Sequence, residues 1–186
     1  MTKKFKARTV KLVDLGVKLQ WAVDLIRKKI FARMEEGFTI ECPCCSQTAK
    51  IYKRSISSTM VRQLIVICKA SRSKWADHDN WVNVNRFYLP GASGDYAKLR
   101  FWGLIEPMDV RTRGFNSSGM WRITDEGREF VKGDTRVRKH LFIYNNALYE
   151  IDGTDAVGRW LDIHEALGSK FNYATLMNAP LRTRSL

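Results

Sequence analysis

Residues 95–133 read DYAKLRFWGLIEPMDVRTRGFNSSGMWRITDEGREFVKG. A short amphipathic helix from Asp95 to Trp102 is expected to run into Gly103-Leu104-Ile105-Glu106. Leu104–Met108 and Met120–Thr124 then pair as a hairpin. The segment joining them carries Arg111 and Arg113, with Gly114, Asn116, Ser117, Ser118 and Gly119 supplying turn chemistry. Thr124 caps a following helix whose first turn holds Asp125 and Glu126, on the favourable side of the helix dipole. Phe130 and Val131 anchor that helix to a core, and Gly133 ends it. The order is helix, strand, basic loop, strand, capped helix.

Working outward, Tyr96, Leu99 and Trp102 share one face of the first helix, while Ala97, Lys98 and Phe101 point roughly the other way with Arg100 at the flank. These apolar residues do not fit one stripe, so either Phe101 is exposed or the helix packs on two sides. Upstream, Ser57-Ser58 can cap a helix running to about Ala70. Met60, Val61, Leu64, Ile65 and Cys68 recur at i, i+3, i+4 and form its buried face. Ser71 to Asn80 is polar and aperiodic, a loop. Trp81-Val82-Asn83-Val84 alternates like a strand, and Asn85 to Leu89 makes room for one helical turn before Pro90-Gly91.

The runs Tyr96-Ala97-Lys98-Leu99-Arg100-Phe101-Trp102-Gly103-Leu104-Ile105-Glu106 and Trp121-Arg122-Ile123-Thr124-Asp125-Glu126-Gly127 give residues 57–133 a resemblance to the winged helix-turn-helix DNA-binding superfamily. The resemblance implies duplex DNA as partner and the helix over 95–102 as the element that enters the major groove. Lys98, Arg100 and Phe101 would then face the bases, with Arg111 and Arg113 on phosphate or in the minor groove. The sequence departs from the pattern in one respect: the region before that helix is irregular, with no clear second helix. The whole chain also resembles small bacteriophage-encoded proteins, a likeness that supplies no activity. Winged helices serve as protein-docking modules too, so fold alone does not assign a role.

Charge points to the same partner. The 186 residues hold 32 Lys+Arg against 19 Asp+Glu, a formal net charge of +13, in a chain that is 45% hydrophobic and therefore a folded protein. Such an excess attracts polyanions with strong salt dependence. Residues 1–56 carry 13 basic and 5 acidic side chains, residues 57–150 carry 15 and 10, and residues 151–186 carry 4 of each. The basic surface is weighted toward the N-terminal half. The neutral C-terminal segment is left for packing or for self-association into a homodimer.

Lys3, Lys4, Lys6 and Arg8 form a basic arm over residues 1–11, either lying along phosphates or frayed. From Val10 to Met34, Leu15, Leu19, Ala22, Val23, Leu25, Ile26 and Ile30 keep helical spacing, interrupted by Arg27-Lys28-Lys29, and Gly37 ends the helix. Thr39-Ile40-Glu41 and Lys50-Ile51-Tyr52 read as short strands around Cys42-Pro43-Cys44-Cys45-Ser46. Cys42 and Cys45 at this spacing resemble one knuckle of a zinc ribbon, which is half a tetrahedral site. The chain offers Cys68 and His78, or a second subunit, to complete it. A metal-free hairpin turn and a redox pair are the alternatives. Cys68 falls on an apolar helix face, the position of a core residue.

Beyond 133, Leu141-Phe142-Ile143-Tyr144 and Ala147-Leu148-Tyr149-Glu150-Ile151 flank Asn145-Asn146, two residues that tolerate positive φ in a tight hairpin. Val157 to Leu167 has weak helical spacing, Asn172 to Met177 reads as one more turn, and Leu181-Arg182-Thr183-Arg184 reads as a loose basic end.

Catalytic constellations are absent: the sequence has no P-loop, G-x-S-x-G, H-E-x-x-H or GxGxxG, and its three histidines are scattered. The crowded cysteines make a poor disulfide framework, and no apolar run is long enough for a leader or a membrane span, so the expectation is a cytoplasmic protein, in a host cytoplasm if phage-encoded. The sequence therefore predicts a non-enzymatic α+β protein in three segments. An N-terminal helix and zinc-ribbon-like knuckle occupy 1–56, a winged helix-turn-helix core 57–133, and a C-terminal β-hairpin with short helices 134–186. Its expected work is binding double-stranded DNA as a phage-type regulator of transcription or of another DNA transaction. The rival is a docking module that blocks or recruits a host protein, and a nuclease accessory subunit is a weaker third. The expected cofactor is none, or zinc at the knuckle.

Overall fold

A computed structural model of the chain describes residues 12–37, 39–41, 46–89, 94–109, 119–149 and 158–184. They form an α+β protein in two compact units, Met1–Tyr52 and Lys53–Leu186. Residues 57–133 and 134–186 both lie in the second unit.

In the first unit, α1 (Leu12–Glu35) ends at Gly37, whose φ of 89° is the left-handed conformation that glycine reaches most cheaply. Over its second half, Val23, Ile26, Ile30, Phe31 and Met34 are half-buried or buried on one face, while Arg27, Lys28, Lys29 and Arg33 are exposed. Strands β1 (Ile40–Glu41) and β2 (Thr48–Ala49) pair antiparallel, Ile40 opposite Ala49. The second expected strand, over 50–52, is displaced. Thr48–Ala49 makes the pairing, and β3 (Tyr52–Ser55) joins a different sheet.

The second unit is built around α2 (Ser58–Ser71), capped as predicted by Ser57, whose hydroxyl accepts from the Met60 amide. The predicted face is buried, and Gln63, Ile67 and Ala70 are buried with it. Strand β4 (Val82–Asn83) leads into a 3-10 turn at Val84–Arg86, followed by a 3-10 helix, Asp95–Trp102. β5 (Ile105–Pro107) and β6 (Met120–Ile123) form the predicted hairpin, with Ile105 opposite Ile123 and Glu106 opposite Arg122. β4 pairs with the other edge of β6, so the strand order is β4-β6-β5. α3 (Asp125–Lys132) follows, capped by Thr124 and ended by Gly133 at φ 89°.

The 95–102 segment also differs from the expected amphipathic helix. A 3-10 helix has three residues per turn, so side chains at i and i+3 eclipse. Tyr96, Leu99 and Trp102 therefore stand in one file, which accounts for apolar positions that do not fit a 3.6-residue stripe. Leu99 and Trp102 are buried, and Tyr96 meets the Trp121 ring edge-on at 5.5 Å.

The C-terminal elements complete the core. β7 (Val137–Arg138) pairs with β10 (Trp160–Leu161), and β8 (His140–Tyr144) sits between β3 and β9 (Ala147–Tyr149). Asn145 and Asn146 take φ of 47° and 61° in the β8–β9 turn, as their side chains predict. α4 (Ile163–Leu167) and α5 (Tyr173–Asn178) pack on α2. Two expectations are corrected here. Trp160 and Leu161 are strand, not helix: Asp162 forms a full capping box with Glu165, so the helix starts only at Ile163. The basic end at 181–184 is not loose. Tyr88 donates its amide to the Arg182 carbonyl, Arg184 donates to Arg86, and the tail is held against the 86–88 backbone.

Candidate nucleic-acid interface

The residues expected to face bases lie on the 3-10 helix, and each is engaged. Lys98 Nζ contacts Asp95 Oδ1 at 2.6 Å. Arg100 donates to Asn146 Oδ1 at 2.6 Å, bringing the β8–β9 turn against this helix, and its guanidinium lies 4.8 Å from the Phe101 ring centre. Phe101 is half-buried and packs on the core. Every residue from Asp95 to Trp102 is half-buried or buried. A further tie holds the segment down: Trp102 Nε1 donates to the Arg138 carbonyl at 2.7 Å.

The hairpin base is ordered by a cross-strand pair. Arg122 places Nε and Nη2 each 2.6 Å from Glu106 Oε1, and its guanidinium stacks 4.6 Å from the Trp81 ring centre. The β6 end is anchored at Gly119, φ 93°, whose carbonyl accepts from Val84 and where a Cβ would stand 2.2 Å from the Asn85 amide nitrogen. Arg111 and Arg113, in the segment joining β5 to β6, lie outside the described residues, as do Lys3, Lys4, Lys6 and Arg8 of the arm.

Cys42, Cys44 and Cys45 of the knuckle also lie outside the described residues. The two side chains proposed to complete a zinc site stand in unlike surroundings. Cys68 is 1% exposed in the core, and burial pushes its thiol pKa up against the opposing pull of Arg72, Arg128 and Lys132. A ligand must be a thiolate, and this environment favours the thiol. The His78 side chain is 80% exposed, 3.2 Å from Asp79. Asp77 turns its carboxylate inward to the Asp79 and Trp81 amides, shaping the loop. Among the described residues no three His, Cys, Asp or Glu side chains gather at a metal-binding distance.

Sequence reasoning overlooked a second set of cation–aromatic contacts. Lys53 stands 5.7 Å from the Phe142 ring centre and Arg138 stands 5.5 Å from that of Trp160, on strands far apart in sequence. The alternation of His140, Phe142 and Tyr144 with buried Leu141 and Ile143 was the available signal.

Comparison with known protein families, with curated proteins and with solved structures returns no match. Among the described residues no helix is long and apolar enough to cross a membrane.

Proposed function

We propose that the chain binds double-stranded DNA through a winged-helix module, as a phage-type regulator of transcription or of another DNA transaction. One observation carries the reading: a paired β5–β6 hairpin, bracketed by the 95–102 helix and the Thr124-capped α3, whose connecting segment contributes Arg111 and Arg113 in a protein of net charge +13. The mode of contact is phosphate-led. Lys98 and Arg100 are held by Asp95 and Asn146, and the 3-10 helix lacks an open face to lay against base edges. Phosphate contacts position a protein on DNA without reading sequence.

Titration of a duplex at several salt concentrations tests this. Each neutralised phosphate contributes about −0.9 to the log–log slope. A steep slope supports the reading; a flat dependence, or no binding at low salt, defeats it. The same engaged 3-10 helix favours a second reading, a winged-helix module that docks on a host protein. That reading requires one partner retained from bacterial lysate after nuclease treatment, together with weak DNA binding.

A further inference from the structure

The outward face of β7, β8 and their neighbours combines features that no part of the winged-helix reading uses. Val137, Leu141 and Ile143 point into the core, together with Leu161 opposite Val137. The alternate positions of β8, His140, Phe142 and Tyr144, therefore share the other side. The backbone bonds from Ile56 to the Lys139 carbonyl and from Lys139 to the Arg159 carbonyl carry β7, with Arg138, alongside. Three of these four side chains have a neighbour there. Trp160 lies opposite Arg138. Ser55 Oγ is 2.7 Å from His140 Nδ1, and Lys53 Nζ approaches the Phe142 ring. Tyr149 lies opposite Phe142. From His140 to Tyr144 the β8 part of this file spans about 13 Å at roughly 3.3 Å per strand residue.

The face is both aromatic and basic. Trp160 is 52% exposed, unusual for so large an apolar ring, and Phe142, Tyr144 and Tyr149 farther along the face are half-buried. Among the described residues, Lys53 and Arg138 are exposed and have no carboxylate within ion-pair distance, whereas Arg122, Arg128 and Arg136 elsewhere do. Charge of one sign is felt locally. His140 is held below the ordinary histidine pKa by burial first, and then by the charges of Lys53 and Lys139.

A duplex does not use such a face well, because its bases are stacked on one another and hidden. A single strand does, because every unpaired base has a ring face to stack and every linkage a phosphate to pair. Guanidinium and ammonium groups already lying against aromatic rings keep the cation beside the stacking surface, where base and phosphate arrive together. An apolar peptide would meet the same rings but would leave both cations uncompensated. We infer that this sheet face is a platform for single-stranded nucleic acid, stacking bases on Phe142 and Trp160 and holding phosphates with Lys53 and Arg138.

The test uses the full chain and fluorescence anisotropy with labelled oligothymidylate and oligouridylate of about 16 nucleotides, the upper site size for one oligonucleotide-binding domain. A duplex of the same length is titrated in parallel. Trp160→Ala combined with Phe142→Ala is expected to weaken single-strand binding at least about tenfold, since each lost base stack is worth a factor of that order. Duplex affinity is expected to stay within about twofold, because duplex affinity is dominated by phosphate contacts. Trp160→Phe with Phe142→Tyr keeps both rings and should restore binding, which separates stacking from loss of fold. Preference for one oligonucleotide over the other identifies DNA or RNA as the natural strand. Absence of binding to both, retention of affinity in the alanine variant, or equal losses on single strand and duplex would overturn the inference. Single-strand binding that survives when duplex binding proves absent supports this site and defeats only the winged-helix reading.

Discussion

Thr124 and Gly103 are joined by a 2.6 Å hydrogen bond in which the threonine hydroxyl donates to the glycine carbonyl oxygen. The same hydroxyl accepts from the Gly127 amide at 3.0 Å. One side chain thus ties the end of the 3-10 helix to the start of α3 and closes the base of the β5–β6 hairpin. Thr124→Ala removes both bonds. It is expected to destabilise the protein by about 1–2 kcal/mol, as for loss of a helix N-cap, or roughly 2–8 °C in melting temperature for a chain of this size. Thr124→Ser should recover most of the loss in the same thermal scan. Equal melting temperatures for wild type and alanine variant would refute the role.

Gly127 is a steric requirement. A Cβ there would stand 2.1 Å from the Leu104 carbonyl oxygen and 2.9 Å from Ile123 Cγ1. The first of these is backbone and cannot swing aside. Gly127→Ala should cost about 3 kcal/mol or more, the upper end for overpacking, despite alanine's better helix propensity. Urea denaturation measures it, and a neutral or stabilising result would mean that α3 does not approach Leu104 this closely.

Cys68 should be inert in the folded protein. Alkylation under native conditions, mapped by mass spectrometry, is expected to leave Cys68 unmodified until denaturant is added, because the thiol is buried and its pKa is raised. Any zinc carried by the purified protein should be the same in His78→Ala as in wild type. A loss of metal in that variant would show that His78 is a ligand after all.

His140 gives stability a pH dependence of known sign. Its folded pKa lies below the ordinary 6.5, so the unfolded chain binds a proton first as pH falls. The contribution is complete above that ordinary value and is lost as pH falls through it toward the folded value. Urea midpoints at about pH 8 and about pH 6 should therefore fall less in His140→Gln than in wild type. The opposite order would contradict the burial of His140 and the positive charges of Lys53 and Lys139 around it.

Arg100→Ala and Lys98→Ala should weaken binding to two unrelated duplexes by the same factor, because these side chains are held at the surface of a 3-10 helix by Asn146 and Asp95. The sequence alone predicts otherwise, a change of preference worth about 1–3 kcal/mol per lost base contact. Competition binding with two duplexes separates the outcomes.

Elements governed by neighbours in the chain were readable before any fold was known. Ser57 and Thr124 cap the helices they precede, Gly133 ends one, and Asn145-Asn146 turn a hairpin, because each supplies a hydrogen bond or a φ value within a few residues of itself. The 95–102 segment was misread in its pitch. Helix and 3-10 helix differ by one residue in hydrogen-bond span, and here packing of Leu99 and Trp102 decides between them. Trp160 lies in a strand although the apolar spacing around it is weakly helical, because the Asp162 capping box, written in the sequence, starts the helix only at Ile163.

The amino-acid sequence by itself determined the charge, the amphipathic α2, the β5–β6 hairpin and its caps, since these depend on composition and on contacts a few residues apart. Only the tertiary structure decided which cations stay unneutralised and which rings they meet. Lys53, Phe142, Arg138 and Trp160 are contributed by four strands. The backbone bonds Ile56 to Lys139 and Lys139 to Arg159 draw these segments together. No local pattern encodes such a meeting, because pairing of strands as distant in sequence as β3 and β8 is set by burial of the opposite face, here Val137, Leu141, Ile143 and Leu161 against the core.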